Sequence, residues 1–269
     1  MKRIVLISSL VAATFLTGGC AEDTPEIFVV GNQPFTETCE IPVAGRSNQV
    51  LRTRGVLDLF ITGAYQMVMA VENRLVDSGT VSFTSGGEGG GLVGQEWEAN
   101  DIILQRALIR YEAPDALGVP LPRELELDLS GAIAPGGATS IEMQTIPPSI
   151  GNTLANSPIL REGTALTLNL RIKFFGVTSA GNEVDSNEFV YPIQLCYGCL
   201  LSTPPDAIDP DFPVQPNCRN SEIEEDVVLE DLCFTGQDAP VDCRVVCPLV
   251  NATPNGDPEG ICEPQVGGF

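Results

Sequence analysis

From Leu166 to Phe174 every second residue is apolar: Leu166, Leu168, Leu170, Ile172 and Phe174 alternate with Thr167, Asn169, Arg171 and Lys173. Period two is the repeat of a β-strand that turns one face to a core and the other to water. An α-helix cannot bury that set, because its members would point to different sides of the axis. The pattern recurs in Leu125, Leu127 and Leu129 against Glu124, Glu126 and Asp128. Phe189, Tyr191, Ile193 and Leu195 form a third case, and Tyr65, Met67, Met69 and Val71 a fourth. Leu57–Ile61, Val81–Phe83 and Ile141–Thr145 are shorter candidates, with Gly63-Ala64 suited to a tight hairpin before Tyr65. Asp101–Tyr111 reads two ways. Ile103, Ala107, Ile109 and Tyr111 share a strand face, whereas Ile102, Leu104, Leu108 and Tyr111 also fit a helix. Eight candidate strands with no convincing helical run between them predict an all-β domain over 51–196, an antiparallel β-sandwich, Ig-like or related.

The composition changes after Cys196. Residues 200–269 hold 14 Asp+Glu and 2 Arg, with frequent proline and cysteine and few apolar residues. The expected region 197–269 is therefore acidic, disulfide-rich and mostly irregular, held by cross-links rather than by a core. Glu222–Asp231 fits one short helix. Gly86 to Gly91, interrupted by Glu88, reads as a flexible connection, since no Gly-Lys-Ser/Thr follows as in a phosphate loop.

The chain opens with Met1-Lys2-Arg3, an apolar run from Ile4 to Leu16, and Thr17-Gly18-Gly19-Cys20. That order is the layout of a secretory signal, and the 13-residue apolar run is too short to span a bilayer about 30 Å thick. Small residues directly before a cysteine resemble the lipobox of bacterial lipoproteins, although Leu16 stands one position earlier than the leucine that family prefers. The resemblance covers about the first 20 residues. It implies a signal peptide over 1–19 and cleavage before Cys20. It also implies diacylglyceryl and acyl (palmitate-type) modification there, with residues 20–50 as lipid anchor and tether. Ala21, rather than Asp, after the cysteine implies sorting to the outer membrane. The alternative is an ordinary secretory signal cut near Gly19, which leaves Cys20 a plain thiol.

The other eight cysteines are Cys39, Cys196, Cys199, Cys218, Cys233, Cys243, Cys247 and Cys262. Outside the inner membrane, disulfides are their natural state. Seven lie beyond 195 and one far upstream, so if all pair within the chain, Cys39 must bond one of the seven. Which one is open, because eight cysteines allow 105 pairings. Cys196/Cys199 and Cys243/Cys247 are also two close pairs of the kind zinc uses.

There is no histidine, which excludes His-based triads, His metal ligands and c-type haem attachment at Cys196-Tyr197-Gly198-Cys199. The net charge of −22 becomes about −24 once Lys2 and Arg3 leave with the signal, a surface that repels nucleic acid. Two oxygen-rich loops, Asp206/Asp209/Asp211 and Asn255/Asp257/Glu259, are candidate Ca²⁺ ligands, and no other cofactor is expected. No carboxylate pair stands out for catalysis. The expectation is a non-enzymatic, lipid-anchored cell-envelope protein with a structural or protein-interaction role and an envelope protein as partner. The alternative is a module on the outer membrane that binds a glycan or Ca²⁺.

Overall fold

The computed structural model describes residues 24–45, 49–79, 81–83, 95–203, 218, 233–251 and 262. Alternation translates directly into strands. β3 (Tyr65–Asn73), β6 (Ile102–Glu112), β7 (Glu124–Ile133), β8 (Ala138–Ile146), β9 (Leu166–Thr178) and β11 (Phe189–Cys196) are the long ones. β1 (Ile27–Gln33), β2 (Gly55–Asp58), β4 (Val81–Phe83), β5 (Gln95–Trp97) and β10 (Glu183–Asp185) are shorter. One sheet runs β1-β3-β8 and a larger one β2-β11-β9-β6-β7, with β10 on β9; β4 and β5 pair separately. On β9, Leu168, Leu170, Ile172 and Phe174 are fully buried. They share one apolar cluster with Met67, Met69 and Val71 of β3 and Ile146 of β8, so the inner faces of both sheets bury their side chains together.

The wet face of the larger sheet carries a cross-strand ladder of charge. Arg106 pairs with Glu126, Arg110 with Glu124 and Glu188, Arg171 with Glu112 and Glu188, and Lys173 with Asp185. β7, at the edge, keeps Leu125, Leu127 and Leu129 half-buried and Glu124, Glu126 and Asp128 exposed.

The two readings of 101–111 have a structural cause. Register shifts between Leu104 and Arg106, where β6 carries an extra residue against β9 while β7 carries an extra residue against β6. Ile102 and Leu104 face inward before this bulge, and Ala107 and Ile109 after it, so the buried set changes phase mid-strand. Ile103, expected inward, is 45% exposed. Opposite the bulge stands Gly176, where a Cβ would sit 2.6 Å from the Ile103 carbonyl oxygen.

Several expectations are corrected. The pairing is not antiparallel throughout: β2 runs parallel to β11 along Gly55–Asp58 and Ile193–Cys196. Gly63-Ala64 therefore does not close a hairpin. Ile61 and Thr62 both donate to the Asp58 carbonyl, ending β2 in a turn that carries the chain from the larger sheet to the smaller. The segment 20–50 is not only a tether, since Ile27–Gln33 forms β1 against β3. Helices do occur between strands: α1 (Pro148–Ala155) and α2 (Pro158–Arg161) each start with proline in the first turn, where a missing N–H costs nothing. The described part of the region from 197, expected to be mostly irregular, holds a few short elements. β12 (Leu201–Ser202) and β13 (Val241–Asp242) pair in parallel, and α3 (Cys243–Asn251) follows.

Candidate functional site

The polar centre of the described molecule lies where the C-terminal region meets β2. Segment 233–239 runs along the open edge of β2. Asp58 N–H donates to the Gly236 carbonyl at 2.9 Å, and Asp238 N–H to the Val56 carbonyl at 3.0 Å. An edge strand that would otherwise present unpaired peptide groups is thereby covered. The Gln237 side chain extends the seal by imitating a peptide. Its Nε2 donates to the Gln66 carbonyl at 2.6 Å and its Oε1 accepts the Gln66 N–H at 2.8 Å.

Asp238 is the anchor. It adopts φ +62°, a conformation that Asp tolerates better than most residues. Its carboxylate accepts from Val56 N–H at 2.7 Å and pairs with the Arg52 guanidinium. Tyr65 Oη lies 2.9 Å from both carboxylate oxygens. Behind it, Tyr65 Oη and Tyr191 Oη are 3.3 Å apart, and Asn32 Nδ2 donates to Tyr191 Oη at 3.0 Å. The chain of donors thus runs from Asn32 through two phenols to one carboxylate. Burial holds the Tyr65 phenol far above its ordinary pKa, the Asp238 charge adds to the rise, and burial also raises Tyr191. Both stay protonated at neutral pH and serve as donors, not bases. Gly55 makes the geometry possible, since a Cβ there would fall 1.9 Å from Tyr65 Oη.

A second buried carboxylate, Asp58, is 0% exposed. It accepts N–H groups from Phe60 at 3.0 Å, Gly198 at 2.7 Å and Leu200 at 2.8 Å. Burial raises its pKa and these three bonds pull the other way. Asp58 therefore ties the end of β2 to the turn that holds Cys196 and Cys199.

The cysteines stand in four pairs at disulfide distance. Cys39 faces Cys233 with Cα atoms 5.1 Å apart, and Cys196 faces Cys199 at 5.9 Å. Cys218 faces Cys243 at 5.2 Å and Cys247 faces Cys262 at 5.4 Å. Cys243 and Cys247, four residues apart on α3, go to different partners, so they do not make a zinc pair with Cys196 and Cys199. Among the described residues, only Asp58, Cys196 and Cys199 are spaced to hold a metal. Both sulfurs there are joined to each other and the carboxylate is filled by N–H donors, a set that fits no metal ion. The candidate Ca²⁺ ligands Asp206, Asp209, Asp211, Asn255, Asp257 and Glu259 lie outside the described residues, as does Cys20.

No protein-family model matches this chain, and no curated protein matches it. The site is read from its own geometry. Beside Asp238 a cleft of about 150 Å³ is lined by Phe35, Thr36, Arg52, Phe234 and Gln237 among others. The Phe35 and Phe234 rings in its lining are tilted by 60° with centroids 4.8 Å apart. Its one cation, Arg52, is committed to Asp238, and the phenols beyond it are committed donors. This arrangement fastens segments distant in sequence. Arg52, Asp58, Tyr65, Tyr191 and Asp238 were not singled out from the sequence. The available signals were Gly55, the parity that obliges Cys39 to reach the C-terminal region, and tyrosines on inward strand positions.

Proposed function

We propose that this chain is a lipid-anchored cell-envelope protein with a non-catalytic, protein-interaction role, built on a β-sandwich that the C-terminal region straps shut. The observation that carries the anchor is arithmetic. Of nine cysteines, eight pair with one another, and the leftover thiol is Cys20, which stands where the leader ends. Support for the sandwich is the apolar cluster shared by the two sheets. A non-catalytic role is supported by the lack of histidine and by the full engagement of Asp58 and Asp238 with donors.

Acyl-chain labelling of the full-length protein in a bacterial host tests the anchor. The native chain should take up label and partition into detergent, and Cys20→Ala should do neither. A native chain that is cut near Gly19, released and unlabelled would overturn the anchor.

A further inference from the structure

A second cleft, of about 350 Å³, lies beyond the end of β1, between Gln33-Pro34 and a wall formed by Glu40, Ile41, Pro42, Val43, Gln49 and Val50. Two properties set it apart from ordinary surface. Its rim is apolar and open: Ile41, Val43 and Val50 line it, and Val43 and Val50 are 63% and 68% exposed. Its wall also holds two amides with unmet hydrogen bonds. Gln33 is only 2% exposed, and both Gln33 Nε2 and Gln49 Nε2 are buried without a partner. Buried amide atoms are nearly always hydrogen-bonded, so two orphans lining one cleft mark a place where partners are missing.

The Gln33 amide offers either sign of partner. Ser140 has one hydroxyl proton and two oxygens in reach, Gln33 Oε1 at 2.8 Å and the Pro42 carbonyl. With the amide turned end for end, Nε2 donates to Ser140, Ser140 donates to Pro42, and Oε1 becomes the atom left over. In both settings one polar atom of Gln33 is unpaired, while Gln49 keeps a free donor.

These features select a class of ligand. A cation would need several oxygen ligands, and Glu40 is the one carboxylate on the described lining. An anion would need positive charge, and the described lining has no Lys or Arg. A sugar would be expected to stack on an aromatic ring, and the described lining has none. A peptide main chain offers both N–H and C=O, bears no charge, and carries side chains that suit Ile41, Val43 and Val50. Position agrees: β1 starts at Ile27, near the proposed anchor, and its seven residues carry the chain about 20 Å to the cleft.

We propose that this cleft binds an extended, uncharged, apolar-flanked peptide segment of a protein partner, whose main-chain groups pair with Gln33 and Gln49. The inference rests on the interaction role above and gives it a location. The test is selection of a random-peptide display library on the mature, full-length chain, followed by titration of synthesised hits. Hits should be uncharged and should bind about tenfold more weakly to both Gln33→Leu and Gln49→Ala, the scale of one or two lost hydrogen bonds. N-methylation of their main chain should weaken binding similarly. Gln49 is only half-buried and its truncation leaves the core intact, so a fold defect in the Gln33 variant does not blind the experiment. An empty selection, hits that bind both variants as well as the native chain, or self-association that Gln49→Ala abolishes would each overturn the proposal. The last outcome would give the cleft to a second copy of this chain. None of these outcomes depends on whether Cys20 carries lipid.

Discussion

The two apolar clusters of this molecule are built on opposite principles. The larger, between the sheets, contains Leu, Ile, Val, Met, Ala, Phe and Tyr side chains and, among the described residues, no cysteine. The smaller gathers Phe60, Val241 and Val246 around Cys218, Cys243, Cys247 and Cys262, so most of its buried residues are halves of disulfides. The first is held by area removed from water, the second by restriction of the unfolded chain. A segment with 14 acids and 2 arginines over residues 200–269 cannot assemble enough apolar surface to fold by burial alone. Cross-links supply what the core lacks.

The comparison can be broken by removing the link between the regions. Changing Cys39 and Cys233 together to Ser opens a closure of 194 residues and should cost about 5 kcal/mol in denaturant melts under oxidising conditions. With reductant present the same change should cost nothing; an equal loss in both buffers would mean that the bridge is not formed. Phe174→Ala, in the larger cluster, should cost about 4 kcal/mol, and by the same amount with or without reductant. Dependence on reductant at Phe174 would show that the sheets themselves lean on the disulfides.

Tyr65→Phe probes the seam and should have the smallest effect, about 2 kcal/mol, by removing a hydrogen bond to the Asp238 carboxylate. The phenols also predict the alkaline limb of stability. Tyr65, Tyr111 and Tyr191 are all raised in the folded state, chiefly by burial. The unfolded chain therefore loses its phenolic protons first, and stability falls as pH rises above the unfolded value of about 10. Ultraviolet titration should show these three rings ionising together with unfolding, not before it.

Much of the fold was legible because strands announce themselves through alternation. Seven of the eight candidate segments coincide with strands, and the eighth, Leu57–Ile61, shares only Leu57 and Asp58 with β2 before the chain turns. β1 was hidden because its second half buries polar side chains. Asn32 looks like a turn residue until its amide is seen between Val68 N–H and Tyr191 Oη. The helices are hidden because they are short, eight and four residues, too few to show a helical repeat. The parallel alignment of β2 with β11 joins residues some 138 positions apart, and no local pattern encodes it. The seam was illegible for the same reason: Asp238 meets Tyr65 across 173 positions and Arg52 across 186. Sequence patterns report the face a residue turns to its own neighbours, whereas a site like this is a meeting of strangers.

The Cys39–Cys233 bridge has a topological consequence. It makes the intervening chain, with β2 to β12 and the glycine-rich segment at 86–91, one covalent ring. A protease that cuts one peptide bond inside that ring opens it but does not divide the molecule. The two pieces stay joined through sulfur until reduction releases them, so a singly nicked protein runs intact on a non-reducing gel and as fragments on a reducing one.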